Sequence, residues 1–163
     1  MRREERRRGM DSYDTFNHIL VELFHDIMDI EEKAIITDSF KDITNNDMHV
    51  IEAIGMGAPK NMSSIARQLH VTTGTLTIAM NSLVKKGYVK RERSEQDRRV
   101  VYIMLTSKGK LAYRHHEAFH RKMTEALVEN LSQEDTELLV RAMTNLKNFF
   151  ESYRKNESES QRK

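Results

Sequence analysis

The 163-residue chain contains no cysteine, no tryptophan, a single proline and six glycines. The absence of cysteine excludes disulfides, thiolate zinc sites, iron–sulfur clusters and thiol-based redox sensors. The longest uninterrupted apolar run is the six residues Val100–Leu105, whereas a membrane span needs roughly 18. The basic first residues lack the apolar stretch of a secretory signal. We therefore expect a cytoplasmic protein with no membrane partner.

Motifs of common enzyme classes are also expected to be absent. We expect no Walker loop, no GxGxxG turn, no HExxH motif and no cysteine nucleophile. We expect a protein that is not an enzyme and needs no cofactor. A coiled-coil adaptor would need sustained heptads, which the glycines and a predicted hairpin interrupt.

Charge is distributed unevenly along the chain. Residues 10–57 carry two lysines against eleven acidic residues, and residues 58–110 carry eleven basic against three acidic residues. Residues 111–163 balance, with nine of each sign. A basic middle segment indicates a surface for a polyanion. The alternative, from charge alone, is an ordinary solvated face.

The two ends of the chain lack a hydrophobic period. Residues 1–9 hold five arginines and two glutamates, and we expect residues 1–11 to be a disordered basic extension. Such an arm can follow a DNA groove. We favour the hypothesis that Met10 is the true start and that a ribosome-binding sequence has been translated before it. Residues 156–163 are expected to form a frayed tail.

Helical periodicity dominates the rest of the chain. Six helices are predicted, and residues suited to N-caps precede five of them: Thr44, Ser63, Thr72, Thr106 and Ser132. Between the fourth and fifth helices the period changes to that of strands, and residues 88–93 and 100–105 predict a β-hairpin. The order predicts a mainly α fold with a small β-hairpin wing, a winged helix-turn-helix, over residues 37–105.

The outer helices, residues 12–36 and 106–155, carry more apolar side chains than a small winged domain can cover. Pairing two chains would bury them, so we expect an obligate twofold dimer with these segments as its dimerisation region. A twofold dimer reads a palindrome. An intramolecular three-helix core is the alternative.

The fourth helix is the predicted reader of DNA. With Leu76, Met80 and Leu83 facing inward, its other faces carry threonine hydroxyls, thymine-contacting methyl groups and an amide able to pair with adenine. No arginine follows Thr72 before the end of this helix, which favours an AT-rich site read partly through DNA shape. The candidates are Thr72, Thr73, Gly74, Thr75, Thr77, Ile78, Asn81 and Lys85.

Other basic and hydroxyl residues complete the predicted interface. Arg98 and Arg99 lie at the wing tip, where guanidinium groups can enter a narrow minor groove beside Asp97. A surface ion pair is the alternative for these charges. Phosphate contacts are assigned to a further set: Lys85, Lys86, Lys90, Arg91 and Arg93, with Ser63 and Ser64 near the backbone.

The predicted wing contains a sequence signature that is known from a protein family. Asp97-Arg98-Arg99, five further residues and Leu105-Thr106-Ser107-Lys108-Gly109 match D-x-R-x5-L-T-x-x-G. The chain thereby resembles the MarR family of bacterial transcription regulators over roughly residues 16–153. The resemblance implies a six-helix dimer in which Arg99 inserts into the minor groove and Asp97 holds it. The family often has Arg at the place of Ile78.

Within the family the chain is similar to the FabT-type subgroup of fatty-acid-synthesis repressors. The similarity lies in Phe40–Ile43, Met48-His49, Gly74–Thr77, Lys86–Tyr88, Arg93–Val101 and Arg114–His120. It implies an AT-rich palindromic operator and long-chain acyl-acyl carrier protein as corepressor. The basic surface around Arg91, Arg93 and Arg114 can dock an acidic carrier protein.

An effector site is predicted where the first, second and fifth helices meet. An acyl chain needs a long apolar channel, to which flexible methionines adapt. The candidates are Phe24, Ile27, Met28, Met48, Ile51, Phe119 and Met123, for which plain core packing is the alternative. A regulator that senses zinc or another small ligand is the alternative function, since His116 and His120 share a helix face and His49 can approach them. Structural, hydrogen-bonded histidines are the other interpretation.

Overall fold

The computed structural model describes residues 2–35, 40–95, 97 and 100–160. The chain divides into two compact units, Met1–Phe119 and His120–Lys163. In the described residues the predicted six helices are present, with three strands. In chain order these are α1 (Arg2–Ile35), α2 (Asn45–Ile54), β1 (Lys60–Asn61), α3 (Met62–Leu69), α4 (Thr73–Lys85), β2 (Val89–Arg93), β3 (Val101–Leu105), α5 (Ser107–Val128) and α6 (Gln133–Ser160).

Local hydrogen bonds explain where the helices begin. Thr44 and Asp47 form a reciprocal capping box at α2, with both bonds at 3.1 Å. The Thr72 hydroxyl accepts from the Thr75 amide at 3.1 Å and caps α4. The prediction of Ser63 as the cap of α3 was wrong. Asn61 is the cap, because its side-chain oxygen accepts from the backbone of Ser64 at 2.8 Å.

Both chain ends are more helical than expected. The predicted disorder of residues 1–11 is not observed for residues 2–11, which form the first turns of α1. Arginine and glutamate are good helix formers, and they extend the helix that the apolar pattern begins at Ser12. At the other end α6 runs to Ser160, beyond the predicted end at 155. The hypothesis of a start at Met10 stays a prediction.

The sheet contains one more strand than predicted. β2 and β3 form the expected antiparallel hairpin, with Val89 opposite Leu105 and Arg93 opposite Val101. β1 pairs with the other edge of β3, so the strand order is β1-β3-β2. A strand of two residues has no periodicity to detect, and for this reason sequence patterns did not reveal it.

The hydrophobic core of the first unit surrounds the helix-turn-helix. Its buried residues come from the segment before α2, from α2, α3, α4 and the wing, and from the start of α5. They are Phe40, Ile43, Met48, Val50, Ile51, Ala53, Ile54, Ile65, Ala66, Leu76, Met80, Leu83, Tyr88, Val89, Ile103, Leu105 and Ala112. The recognition helix is therefore held by one closely packed core.

The long terminal helices are much less buried. In α1, Phe16, Phe24 and Ile30 are each more than half exposed. In α6 the same is true of a larger group, namely Leu138, Val140, Phe149, Phe150 and Tyr153. Nowhere in the described parts of the chain does a helix combine the length and apolarity needed to cross a bilayer.

Candidate nucleic-acid interface

The recognition helix α4 presents a polar and apolar mixture on its open side. Leu76, Met80 and Leu83 are almost completely buried, whereas the Ile78 side chain is 75% exposed. This places the predicted reading face toward solvent. Its exposed residues are Thr73, Gly74, Thr75, Thr77, Ile78, Asn81 and Lys85.

Several hydroxyl groups of the helix-turn-helix are already engaged. The hydroxyls of Thr72 and Thr75 lie 2.9 Å apart. Thr77 donates its hydroxyl proton to the Thr73 carbonyl at 2.7 Å, and Ser64 donates to the Asn61 carbonyl at 2.9 Å. Since a hydroxyl oxygen keeps acceptor capacity, Thr77 and Ser64 offer acceptors and methyl or methylene surface rather than free protons.

The wing strand β2 adds basic groups beside α4. Lys90, Arg91 and Arg93 are exposed, and Lys90 forms an ion pair with Glu92. Arg91 turns toward α4, where its Nη2 donates to Oδ1 of Asn81 at 2.7 Å. Side chains from the helix and the wing are thus joined at the surface predicted to face DNA.

The wing tip is only partly described. Asp97 follows β2, and its backbone amide donates to the Ser94 hydroxyl at 3.3 Å, while its carbonyl accepts from the Val100 amide at 2.9 Å. These bonds close the turn that begins at the buried Ser94. Arg98 and Arg99, predicted to enter the minor groove, lie outside the described residues, and that role stays a prediction.

A polar cluster supports the junction between α4 and the wing. The Tyr88 hydroxyl donates to Oδ1 of Asp42 at 2.6 Å, and Lys108 pairs with Oδ2 of Asp42 at 3.1 Å. The Lys108 ammonium also lies 4.0 Å from the centre of the Tyr88 ring. The hydrogen bond from Tyr88, aided by Lys108, holds the pKa of the Asp42 carboxyl below its usual value. Burial, and then the bond to Asp42, raises the pKa of Tyr88.

The end of α4 is tied to neighbouring elements as well. Lys86 pairs with the buried Asp47 of α2 at 2.6 Å. Thr106 donates its hydroxyl to the carbonyl of Gly87 at 2.6 Å. A Cβ atom at Gly109 would overlap the Tyr88 carbonyl oxygen. The signature residues Thr106 and Gly109 therefore let α5 approach the α4–β2 junction closely.

The predicted effector residues do not share one environment. Met48 and Ile51 are fully buried in the core, whereas Phe24 and Met28 are exposed. Ile27 and Phe119 are half-buried, and Met123 belongs to the second unit. A groove of about 540 Å³ lies instead among α2, α3 and α4, with Asn46, His49, Gln68 and Thr75 in its lining. None of the seven predicted residues lines this groove.

The histidines of the first unit make specific contacts. His116 Nε2 lies 2.7 Å from Oε1 of Glu31, and both residues are buried. The rings of His49 and His116 are 6.2 Å apart and nearly perpendicular, and His115 Nε2 lies 2.8 Å from the Ala34 carbonyl oxygen. Sequence reasoning missed Glu31, because a contact across 85 positions leaves no local pattern.

The expectation that the sequence has no HExxH motif was wrong. His116-Glu117-Ala118-Phe119-His120 has the form HExxH, which occurs in zinc proteases. In those enzymes the glutamate acts as a base beside the metal. Here His116 is buried against Glu31, and Glu117 is exposed.

The known proteins that the chain resembles are transcriptional regulators. A family described as transcriptional regulator SarA/Rot matches residues 32–115. The chain is 32% identical to the HTH-type transcriptional regulator SarZ of Staphylococcus epidermidis over 127 residues, 74% of this chain and 84% of that protein. It is 27% identical to the HTH-type transcriptional regulator PchR of Bacillus subtilis over 108 residues, 64% of each. For PchR and two further regulators of that organism, the chain spans 64%, 46% and 58% of their lengths.

Solved structures agree with these matches. The chain is similar to Streptococcus pneumoniae FabT, solved in complex with DNA, with 40% identity, a TM-score of 0.78 and coverage of 86% of this chain and 98% of that one. The Staphylococcus aureus MepR–DNA complex shares the fold at 20% identity and a TM-score of 0.66, covering 83% of this chain and 96% of that one.

Proposed function

Because this chain belongs to the MarR family of winged-helix transcription regulators, within its SarA/Rot group, we propose that it represses fatty-acid biosynthesis genes. It does so by binding an AT-rich palindrome as a dimer, with long-chain acyl-acyl carrier protein as corepressor. The observation that carries the proposal is the 40% identity to FabT across 98% of that chain.

DNA reading is assigned to α4 in the major groove. The exposed methyl groups of Ile78, Thr75 and Thr77 suit the thymine methyl, and Asn81 suits adenine. Lys85 at the end of the helix and Arg93 on β2 suit phosphate oxygens. Arg98 and Arg99 are proposed for the minor groove, where AT-rich sequence strengthens the negative potential.

Dimerisation is assigned to α1 and α6. The apolar side chains that each of these helices leaves exposed, such as Phe16 and Phe149, would lose contact with water against a second chain. Two wings related by a twofold axis then meet two half-sites of a palindrome.

The corepressor is proposed to act through an apolar channel near α1, α2 and α5. Phe24 and Met28 of α1 are the exposed members of the predicted lining, and Ile27 lies half-buried between them. The acidic carrier protein is proposed to dock through the exposed Arg114 of α5. Arg91 and Arg93, the other two basic residues predicted for this contact, are assigned to the DNA-facing surface in the bound dimer.

The proposal is tested by fluorescence anisotropy at fixed salt with duplex DNA from upstream of the gene itself. The titration is run with long-chain acyl-acyl carrier protein, with unacylated carrier protein and with neither. We expect tighter binding with the acylated carrier alone. A different outcome is that the protein binds this duplex but not a scrambled one, with an affinity that neither carrier protein changes. That result would support sequence-specific DNA binding and overturn the role of the acylated carrier protein as corepressor.

A zinc-responsive regulator is the second candidate, and the buried Glu31–His116 contact beside His49 favours it. His120, one helical turn after His116, is a predicted further ligand. Metal content and zinc titration of untagged protein test this candidate. Loss of zinc binding in His116→Ala, with binding retained in the exposed control His18→Ala, would support it. No zinc bound by the wild type would remove it.

A further inference from the structure

The contact between the wing and the recognition helix defines how one reading residue is oriented. Nη2 of Arg91 lies 2.7 Å from the side chain of Asn81, the length of a charge-assisted hydrogen bond. A guanidinium group has donors and no acceptor. The Asn81 atom that faces Arg91 is therefore the amide oxygen, and the amide nitrogen points elsewhere.

An asparagine without such a partner can present either end of its amide to DNA. Both χ angles and the amide flip must then be fixed at the moment of binding, at an entropic cost. Arg91 fixes them in the free protein. The Asn81 NH₂ group is left as a donor for acceptors such as purine N7, and the second lone pair of Oδ1 can still accept from adenine N6.

We propose that Arg91 is a positioning residue for sequence reading, which holds the Asn81 amide in one orientation so that the preferred base opposite Asn81 depends on Arg91. The inference rests on the proposed reading of the major groove by α4. It replaces the predicted role of Arg91 as a phosphate contact. A phosphate contact would raise affinity for every sequence equally.

The strand itself supplies the matched control. Arg93 lies two residues after Arg91 in β2, so it projects from the same face of the strand, and both side chains are exposed. The variants are Arg91→Met, Arg93→Met, Asn81→Ala and the double variant Asn81→Ala/Arg91→Met. Since the three residues are exposed, melting followed by circular dichroism is expected to show unchanged stability.

The test uses the full chain and a pool of duplexes with a randomised central segment. The wild type selects a preferred duplex, and anisotropy then measures every single-base-pair change in it. We expect Asn81→Ala to lose discrimination at one base pair of each half-site. Arg91→Met is expected to lose discrimination at the same base pair. The wild type should prefer the correct pair there by about 5- to 150-fold, and the variant should show almost no preference. The double variant is expected to discriminate no less than Asn81→Ala.

Arg93→Met is expected to weaken binding to all duplexes by one factor and to lower the slope of log affinity against log salt by about 0.9 for each phosphate contact removed. The inference would be overturned if Arg91→Met lost affinity for all duplexes by the same factor. It would also be overturned if Arg91→Met or Asn81→Ala kept the base preference of the wild type. In either case the proposed binding of DNA by α4 would not be affected. A wild type that selects no sequence would overturn the proposed function, and this inference with it.

Discussion

The winged helix-turn-helix and the long terminal helices use their apolar residues differently. In the winged helix-turn-helix, no more than 1% of the surface of Leu76, Met80 or Leu83 of α4 is exposed to solvent. In α6, Phe149 and Phe150 stack edge to face at 5.4 Å and are still more than half exposed. The recognition helix is stabilised within one chain. The apolar face of α6 is removed from water only if another surface packs against it, and in the proposed dimer a second copy of the chain does so.

Truncating a buried side chain of α4 should destabilise the protein more than any other change considered below. Leu83→Ala should lower the free energy of unfolding by about 2–5 kcal/mol, because it opens a cavity in a fully packed core. Urea unfolding at pH 7 measures it. The control is Ile78→Ala on the same helix, where exposure limits the loss to about 0.5 kcal/mol while DNA binding weakens. Equal losses in both variants would contradict the orientation of α4.

The second prediction concerns the dimer. Phe149→Ala should weaken association about 30-fold, or about 2 kcal/mol, because an aromatic side chain at an interface contributes on this scale. Sedimentation velocity over a range of concentrations measures the change. Lys147→Ala, which removes an exposed pair with Glu151, should leave association within about 0.5 kcal/mol. A wild-type chain that stays monomeric would refute the dimer, and no second copy would then cover the exposed apolar side chains of α6.

The third prediction addresses the close approach of α5 to the wing. Gly109→Ala should cost about 1–3 kcal/mol of stability, since the new methyl group would overlap the Tyr88 carbonyl and the backbone must move. Gly57→Ala is the control, because a Cβ there meets no atom within 4 Å. Thermal unfolding of both variants measures the difference. Equal melting temperatures would show that the junction is looser than the structure indicates.

What the sequence predicts well is local. The caps at Thr44 and Thr72, the buried positions of α4 and the hairpin each follow from residues close together in the chain. A serine before the apolar pair Ile65-Ala66 fits the capping pattern and predicts Ser63 as the cap of α3, whereas Asn61, two residues earlier, takes this role. Here two good capping residues compete, and Asn61 takes the cap position because α3 begins directly after β1 ends there.

The site is less predictable because its contacts join distant segments. Which residues line the open face of α4 follows from periodicity. The bond between Arg91 and Asn81 depends on the angle between β2 and α4, and that between Glu31 and His116 on the packing of α1 against α5. Neither the angle between β2 and α4 nor the packing of α1 against α5 can be read from a local sequence pattern. The role of Arg99 rests on the family signature alone.

Loss of the hydrogen bond between Tyr88 and Asp42 should have a modest effect that depends on pH. Because the folded state lowers the pKa of Asp42, the ionised carboxylate stabilises the fold. This contribution is complete above the unfolded pKa of about 3.9 and is lost as the pH falls through it toward the folded pKa. Tyr88→Phe should therefore cost about 1 kcal/mol at pH 7, a modest value because the Asp42 side chain is 47% exposed.

The same substitution should cost less at pH 3, where Asp42 is largely protonated in the unfolded state. Urea unfolding of wild type and variant at both pH values measures the change, with Tyr102→Phe on β3 as the control. A difference between wild type and Tyr88→Phe that is the same at both pH values would mean that the hydroxyl acts by packing alone. A difference that narrows at low pH would assign it to the carboxylate that holds the linker before α2 against the end of the recognition helix.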